Sequence, residues 1–158
     1  MPVWRTLAQG TPKVSPGTID NISQIAHIYR LNLNYNKFAK TLTFYGEVKS
    51  AKKISAYTVI IMFKGVTETL GLTEEEIFQG YQPKPSLGKN DILVRCSCPS
   101  YRFRFDKANR LARAGTGARF GIYHRKTSRK PNNPYDIPGA CKHIFEFISY
   151  LQQQGFIH

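Results

Sequence analysis

The 158-residue chain has three cysteines, and all of them fall in two short motifs of matched spacing. "VRCSCPSYRFRF" carries Cys96 and Cys98 one residue apart, and "PGACKHIFEF" repeats that spacing with Cys141 and His143. An odd count with a Cys-x-Cys pair makes a poor disulfide framework. It suits a metal site, because zinc takes four tetrahedral ligands and favours thiolate sulfur and imidazole nitrogen. Side chains at i and i+2 of a strand share a face, and a bend at Ser97 and Pro99 turns both sulfurs towards one point. The second pair stands where a helix begins, and a helix N-terminus favours thiolate over thiol. Three thiolates and one imidazole on Zn2+ carry a net charge of −1, which Arg95 and Lys142 beside the ligands partly offset. Two other readings compete: three core cysteines with a surface His143, and a redox Cys-x-Cys pair.

The rest of the chain reads as one α+β domain, the expectation for this length. Residues 1–26 carry two prolines and two glycines in "GTPKVSPGT" and read as an extended N-terminal arm or loop, either a loose terminus or an arm that docks on a neighbouring molecule with Trp4 as its anchor. The domain then runs from 27 to 158. "HIYRLNLNYN" and "KTLTFYGEV" alternate in polarity, and the short "NKFAK" between them predicts a hairpin. Tyr29, Leu31, Leu33 and Tyr35 share one face, and Leu42 and Phe44 share another. "AYTVIIMFKGV" is almost wholly apolar and predicts a central strand buried on both faces.

"GLTEEEIFQG" has Thr73 and Glu76 as a capping box and Gly80 as a stop, predicting a short helix. "ILVRCSCPSYRFRF" reads as strand, with Tyr101, Phe103 and Phe105 opposite Arg102 and Arg104. "DKANRLARAG" allows one or two helical turns ending at Gly115, and 116–138 reads as a long loop. "CKHIFEFISYLQQQG" is amphipathic: Ile144, Phe147, Ile148 and Leu151 fall at i, i+3, i+4 and i+7. Gly155 ends it, and Phe156 is placed to pack back on its last turn. The expected fold is thus an antiparallel sheet, a short capped helix and a zinc-clasped C-terminal strand–loop–helix unit over 92–153.

Charge supplies the remaining constraint. The chain has 23 Lys and Arg against 10 Asp and Glu, a formal net charge of +13. From Arg95 to Lys130 there are eleven basic residues and one acid, Asp106. Such a surface attracts nucleic acid or acidic protein. Arg102, Arg104, Arg110, Arg113, Arg119, Arg125, Lys126, Arg129 and Lys130 are the candidate contact residues. No apolar run approaches the roughly 20 residues of a membrane span, and the start lacks the pattern of a secretory signal. The expected setting is therefore a reducing cytoplasm. The acids form no paired-carboxylate motif. Cys141 and His143, as nucleophile and base, would diverge at a helix start unless a metal draws them together. "AGTGARFG" lacks the strand-to-helix frame of a phosphate loop. These readings point away from an enzyme.

The Cys-x-Cys…Cys-x-His order resembles the SWIM zinc finger, here as Cys96, Cys98, 42 intervening residues, Cys141 and His143. The resemblance covers about the last two fifths of the chain and implies that these four residues bind a structural Zn2+. It also implies DNA or protein binding, with Tyr101 or Tyr123 placed to stack on bases. The spacer is longer than in many members, which leaves the path of 106–138 open. The wider tract "CSCPSYRFRF…NR…PG-x-CKH" also resembles small zinc-bearing proteins of tailed bacteriophages. That resemblance implies a virion component in a tail, baseplate or neck, docked on other protein subunits. The alternative is a nucleic-acid-binding module of low sequence specificity.

Overall fold

A computed structural model describes residues 2–18, 25–50, 56–66, 84–120 and 132–158. In chain order the elements are α1 (Trp4–Val14), β1 (Ile25–Asn36), β2 (Thr41–Ser50), β3 (Ala56–Lys64), β4 (Ile92–Cys96), α2 (Pro99–Arg104), α3 (Asp106–Leu111) and α4 (Lys142–Gln153). The strands form one antiparallel sheet in the order β1-β2-β3-β4. The architecture is α+β, as the sequence patterns imply. The capped helix expected at 71–80 lies outside the described residues.

The β1–β2 hairpin forms, closed by a turn over 37–40 in which Asn36 Oδ1 accepts from the Phe38 and Ala39 amides. Leu42 and Phe44 are fully buried, and Leu33 and Tyr35 lie opposite them in register. The alternation of β1 does not run unbroken. Arg30 takes φ 54°, and the register slips between Tyr29 and Asn32. A bulge moves the following side chains to the other face. Ile28 therefore joins Leu31 and Leu33 on the core side, and Tyr29 faces out, 37% exposed.

β3 is buried on one face only, which corrects the expectation of a strand covered on both. Val59, Ile61 and Phe63 are sealed, while Thr58 is exposed and Ile60 and Met62 are half-buried. The reason is the number of layers. Among the described residues, the helices that contribute core side chains pack on one face of the sheet, and none covers the other.

α4 covers the inner face with Ile144, Phe147, Ile148 and Leu151, all buried as their helical spacing requires. Burying each such side chain contributes about 1.5–3 kcal/mol. The helix ends in a Schellman arrangement at Gly155, φ +77°. The Gly155 amide donates to Gln152 O at 3.0 Å, and the Phe156 amide donates to Leu151 O at 2.9 Å. Phe156 then meets the Phe44 ring edge-on, 6.1 Å between centroids.

The N-terminal segment is a helix packed into the domain, not an extended arm. Trp4, Leu7, Thr11 and Val14 fall at i, i+3, i+7 and i+10, so they line one side of a helix. Leu7 and Thr11 are fully buried, and Trp4 meets Phe145 of α4 edge-on at 4.8 Å. Trp4 thus anchors the segment on its own chain. Pro12 removes one amide donor near the C-terminal end, and the helix still closes with Ser15 N–H on Thr11 O at 2.8 Å. Ahead of α1, the Pro2 carbonyl accepts from Ile92 N–H, and Ala114–Thr116 pair with Val94. These contacts occupy the free edge of β4 and satisfy backbone groups that an open edge would expose.

Candidate metal centre

β4 ends at Cys96, whose side chain lies on the buried face in alternation with Ile92 and Val94. The chain then bends. The Ser97 amide donates to Thr58 O at 3.0 Å, and Ser97 Oγ accepts from Thr58 N–H at 2.9 Å. This two-way bond to β3 fixes the exit of the strand. Cys98 follows as the N-cap of α2, with its Sγ accepting from the Tyr101 amide at 3.3 Å. Pro99 holds the first helical position, where a missing N–H costs nothing and the fixed φ suits a helix.

"YRFRF" is therefore helix rather than strand. Its aromatics follow the helical period: Tyr101 and Phe105, four residues apart, are sealed in the core, while Phe103 turns out and is 40% exposed. The alternation of arginine and aromatic residues mimics a strand. The capping Cys98 sulfur and Pro99 decide for a helix.

On the far side, Cys141 is the N-cap of α4, and His143 is in its first turn. Cys96, Cys98, Cys141 and His143 each bring one donor atom to the same place, all within 4.8 Å of one another, and all four residues are buried. Ligands held about 2.0–2.3 Å from one ion stand roughly 3.5–4 Å apart, so a small contraction closes a tetrahedron. The described residues thus contain a Cys3His cluster that fits a metal ion.

The electrostatics carry the same message. Burial pushes the Cys96 and Cys141 thiols well above their ordinary range. Hydrogen bonds from Cys141 and Cys96 hold Cys98 far below it, with a smaller contribution from the nearby His143 ring. Neither ring nitrogen of His143 has a hydrogen-bond partner, although both are buried. Its ring lies against Tyr57, 4.9 Å between centroids and tilted by 54°. A buried polar group left unpaired costs about 1–3 kcal/mol, so an imidazole in this state among three sulfurs calls for a cation.

Two residues outside the motif hold the second pair in place. Asn109 of α3, fully buried, donates to Gly139 O at 2.8 Å and accepts from Gly139 N–H at 2.9 Å. It also donates to Tyr101 Oη at 3.2 Å, and that hydroxyl donates to Val94 O at 2.8 Å. Burial raises the Tyr101 phenol above its ordinary range, so the hydroxyl keeps its proton for Val94. Thr11 of α1 accepts from the Ala140 amide at 2.9 Å. Sequence reasoning passed over Asn109 and Thr11, because no local pattern links either to Cys141.

The described basic residues have different surroundings. Arg110 pairs with Asp106 at 3.2 Å and donates to the Gly117 and Ala118 carbonyls. Arg104 donates to Ser15 Oγ and Ser100 Oγ. These two are half-buried, while Arg102, Arg113 and Arg119 are exposed. Arg102 lies 5.3 Å from the Phe103 ring and 5.6 Å from Phe120, and Arg95 covers Phe120 at 4.1 Å. Arg125, Lys126, Arg129 and Lys130 lie outside the described residues. Among the described residues, no helix is long and apolar enough to cross a membrane.

Comparison with protein-family models, with curated proteins and with solved structures finds no match to this chain.

Proposed function

We propose that Cys96, Cys98, Cys141 and His143 hold one structural Zn2+, and that the protein is a non-enzymatic assembly component built around this staple. The observation that carries the metal reading is His143, whose two buried ring nitrogens are unpartnered beside three buried sulfurs. Four protein donors leave no coordination position for a substrate or water, which is the mark of a structural site. Zinc is favoured over other metals by the sulfur-rich donor set and the tetrahedral arrangement it permits. The SWIM-like order of the ligands supports the same reading.

The staple would join β4 and α2 to α4. It would also fix both ends of the basic 99–140 segment, which is the part offered to partners. The resemblance to small zinc-bearing phage proteins supports a role in a virion, docking on neighbouring protein subunits through charge-assisted arginine contacts. A second reading, a nucleic-acid-binding module of low sequence specificity, is favoured by the exposed Arg102 and Phe103 next to the Arg95–Phe120 stack. Arginine beside aromatic rings suits phosphates and unstacked bases.

The metal reading is tested by metal analysis of the purified protein. One zinc per chain, lost in Cys141→Ser, supports it, and metal-free protein of unchanged stability rejects it. Titration with mixed-sequence DNA over a range of salt separates the two partner classes. A steep fall of log affinity with log salt marks neutralised phosphates and places nucleic acid first. Negligible binding near physiological salt leaves protein neighbours as the reading.

A further inference from the structure

A cavity of about 430 Å³ adjoins the metal centre, between the end of α1, β3, α2 and the start of α4. Among the described residues its lining includes two cations, Arg104 and Lys142, and the aliphatic hydroxyls of Ser15, Thr18 and Ser100, with no Asp or Glu. Arg104 is half-buried, and its hydrogen bonds go to hydroxyls: Ser100 Oγ at 3.1 Å and Ser15 Oγ at 3.3 Å. No ion pair to Arg104 is formed among the described residues, in contrast to Arg110, which has Asp106. A serine hydroxyl that accepts from a guanidinium keeps its own proton to donate elsewhere. Donors at the end of α1 and on α2 therefore converge on a space in which no described residue supplies an anionic acceptor.

We infer that this cavity is a binding site for a small phosphorylated ligand of about nucleotide size, with the phosphate held by Arg104 and the Ser15 and Ser100 hydroxyls. A forked guanidinium matches phosphate oxygens, and hydroxyls from two further directions complete a tetrahedral set. The volume lies in the range of small-molecule pockets and leaves room beyond the phosphate. Tyr57 supplies an aromatic wall there. Cys98 and His143 form part of the lining, so the proposal rests on the metal reading to the extent that the ion holds that wall in place.

The test uses the full-length zinc-loaded protein, titrated calorimetrically with inorganic phosphate and with adenosine 5′-monophosphate, and with zinc content assayed on each sample. The expected result is saturable one-to-one binding of both, tighter for the nucleotide, and at least tenfold weaker in Arg104→Gln at unchanged zinc content. No saturable binding of the nucleotide to zinc-loaded protein overturns the proposal, as does equal binding by Arg104→Gln. Should Arg104→Gln lose its fold, Ser100→Ala replaces it, with weaker binding expected and unchanged binding decisive against. A DNA oligonucleotide that displaces the nucleotide at equal phosphate concentration would assign the cavity to a nucleic-acid backbone and overturn the small-ligand assignment. Should the protein hold no zinc, the metal reading fails by the zinc assay, and the dependence of binding on Arg104 still decides the cavity.

Discussion

The Ala140 amide donates to Thr11 Oγ1 at 2.9 Å across 129 residues of sequence, and the Thr11 hydroxyl donates in turn to Leu7 O at 2.8 Å. This relay sets the residue before Cys141 against the first helix, so α1 helps to position half of the candidate metal centre. Thr11→Val keeps the shape and removes the hydroxyl, leaving the buried Ala140 amide unpaired. The expected cost is about 1–3 kcal/mol, read by urea denaturation, with a weaker hold on metal in a competition assay. Unchanged stability would show that the relay contributes nothing.

Asn109 makes three hydrogen bonds from a fully buried position, two of them to the Gly139 peptide. Asn109→Ala strands the Gly139 amide and carbonyl together. A loss of about 2–4 kcal/mol is expected from two or more buried polar groups left unsatisfied. Hydrogen exchange at Gly139 should accelerate with it, and a protected Gly139 amide in the variant would contradict the assignment.

On the proposed zinc reading, removal of the metal should be the most damaging change. A structural zinc contributes on the order of 10 kcal/mol to folding, comparable to the whole stability of a domain of this size. A strong chelator, or Cys141→Ser, should therefore unfold the C-terminal unit at room temperature, visible as loss of α4 helicity by circular dichroism. A chelator-treated protein with an unaltered spectrum would count against the clasp.

Gly46 faces Phe147 so closely that a β-carbon there would lie 2.6 Å from the ring. The absence of a side chain on β2 is what admits the α4 aromatic to the sheet. Gly46→Ala should cost about 1–3 kcal/mol through overpacking, and Gly46→Ala with Phe147→Leu should recover part of it. A thermal melt of the single variant at the wild-type temperature would refute the fit.

Burial raises the Glu146 carboxyl above its ordinary range. The native state thus keeps this proton longer than the unfolded chain does. The associated stability is complete below the unfolded pKa and is lost as pH rises through the native one. Glu146→Gln should flatten the stability curve across that window, and an unaltered slope would show that the carboxyl is solvated.

Local chemistry made much of this legible in advance. The quartet reads directly from spacing, because two i, i+2 pairs using every cysteine leave few other arrangements. The hairpin and α4 follow from period 2 and period 3.6 patterns that reflect which face is buried. Other features depended on what the rest of the chain supplies. "YRFRF" alternates as a strand would, and only Pro99 at a helix start together with the pocket around Tyr101 and Phe105 selects the helix. The first segment carries Gly10 and Pro12, which read as loop punctuation, yet Leu7 finds a core site that outweighs both. Sequence alone determined the four candidate ligands, the β1–β2 pairing and the buried face of α4, since each depends on residues close in the chain. Tertiary structure alone decided that Thr11 and Asn109 hold Cys141 in place and that Arg104 faces a cavity beside the Ser15 and Ser100 hydroxyls, because these contacts join distant segments through side-chain geometry that no periodicity encodes.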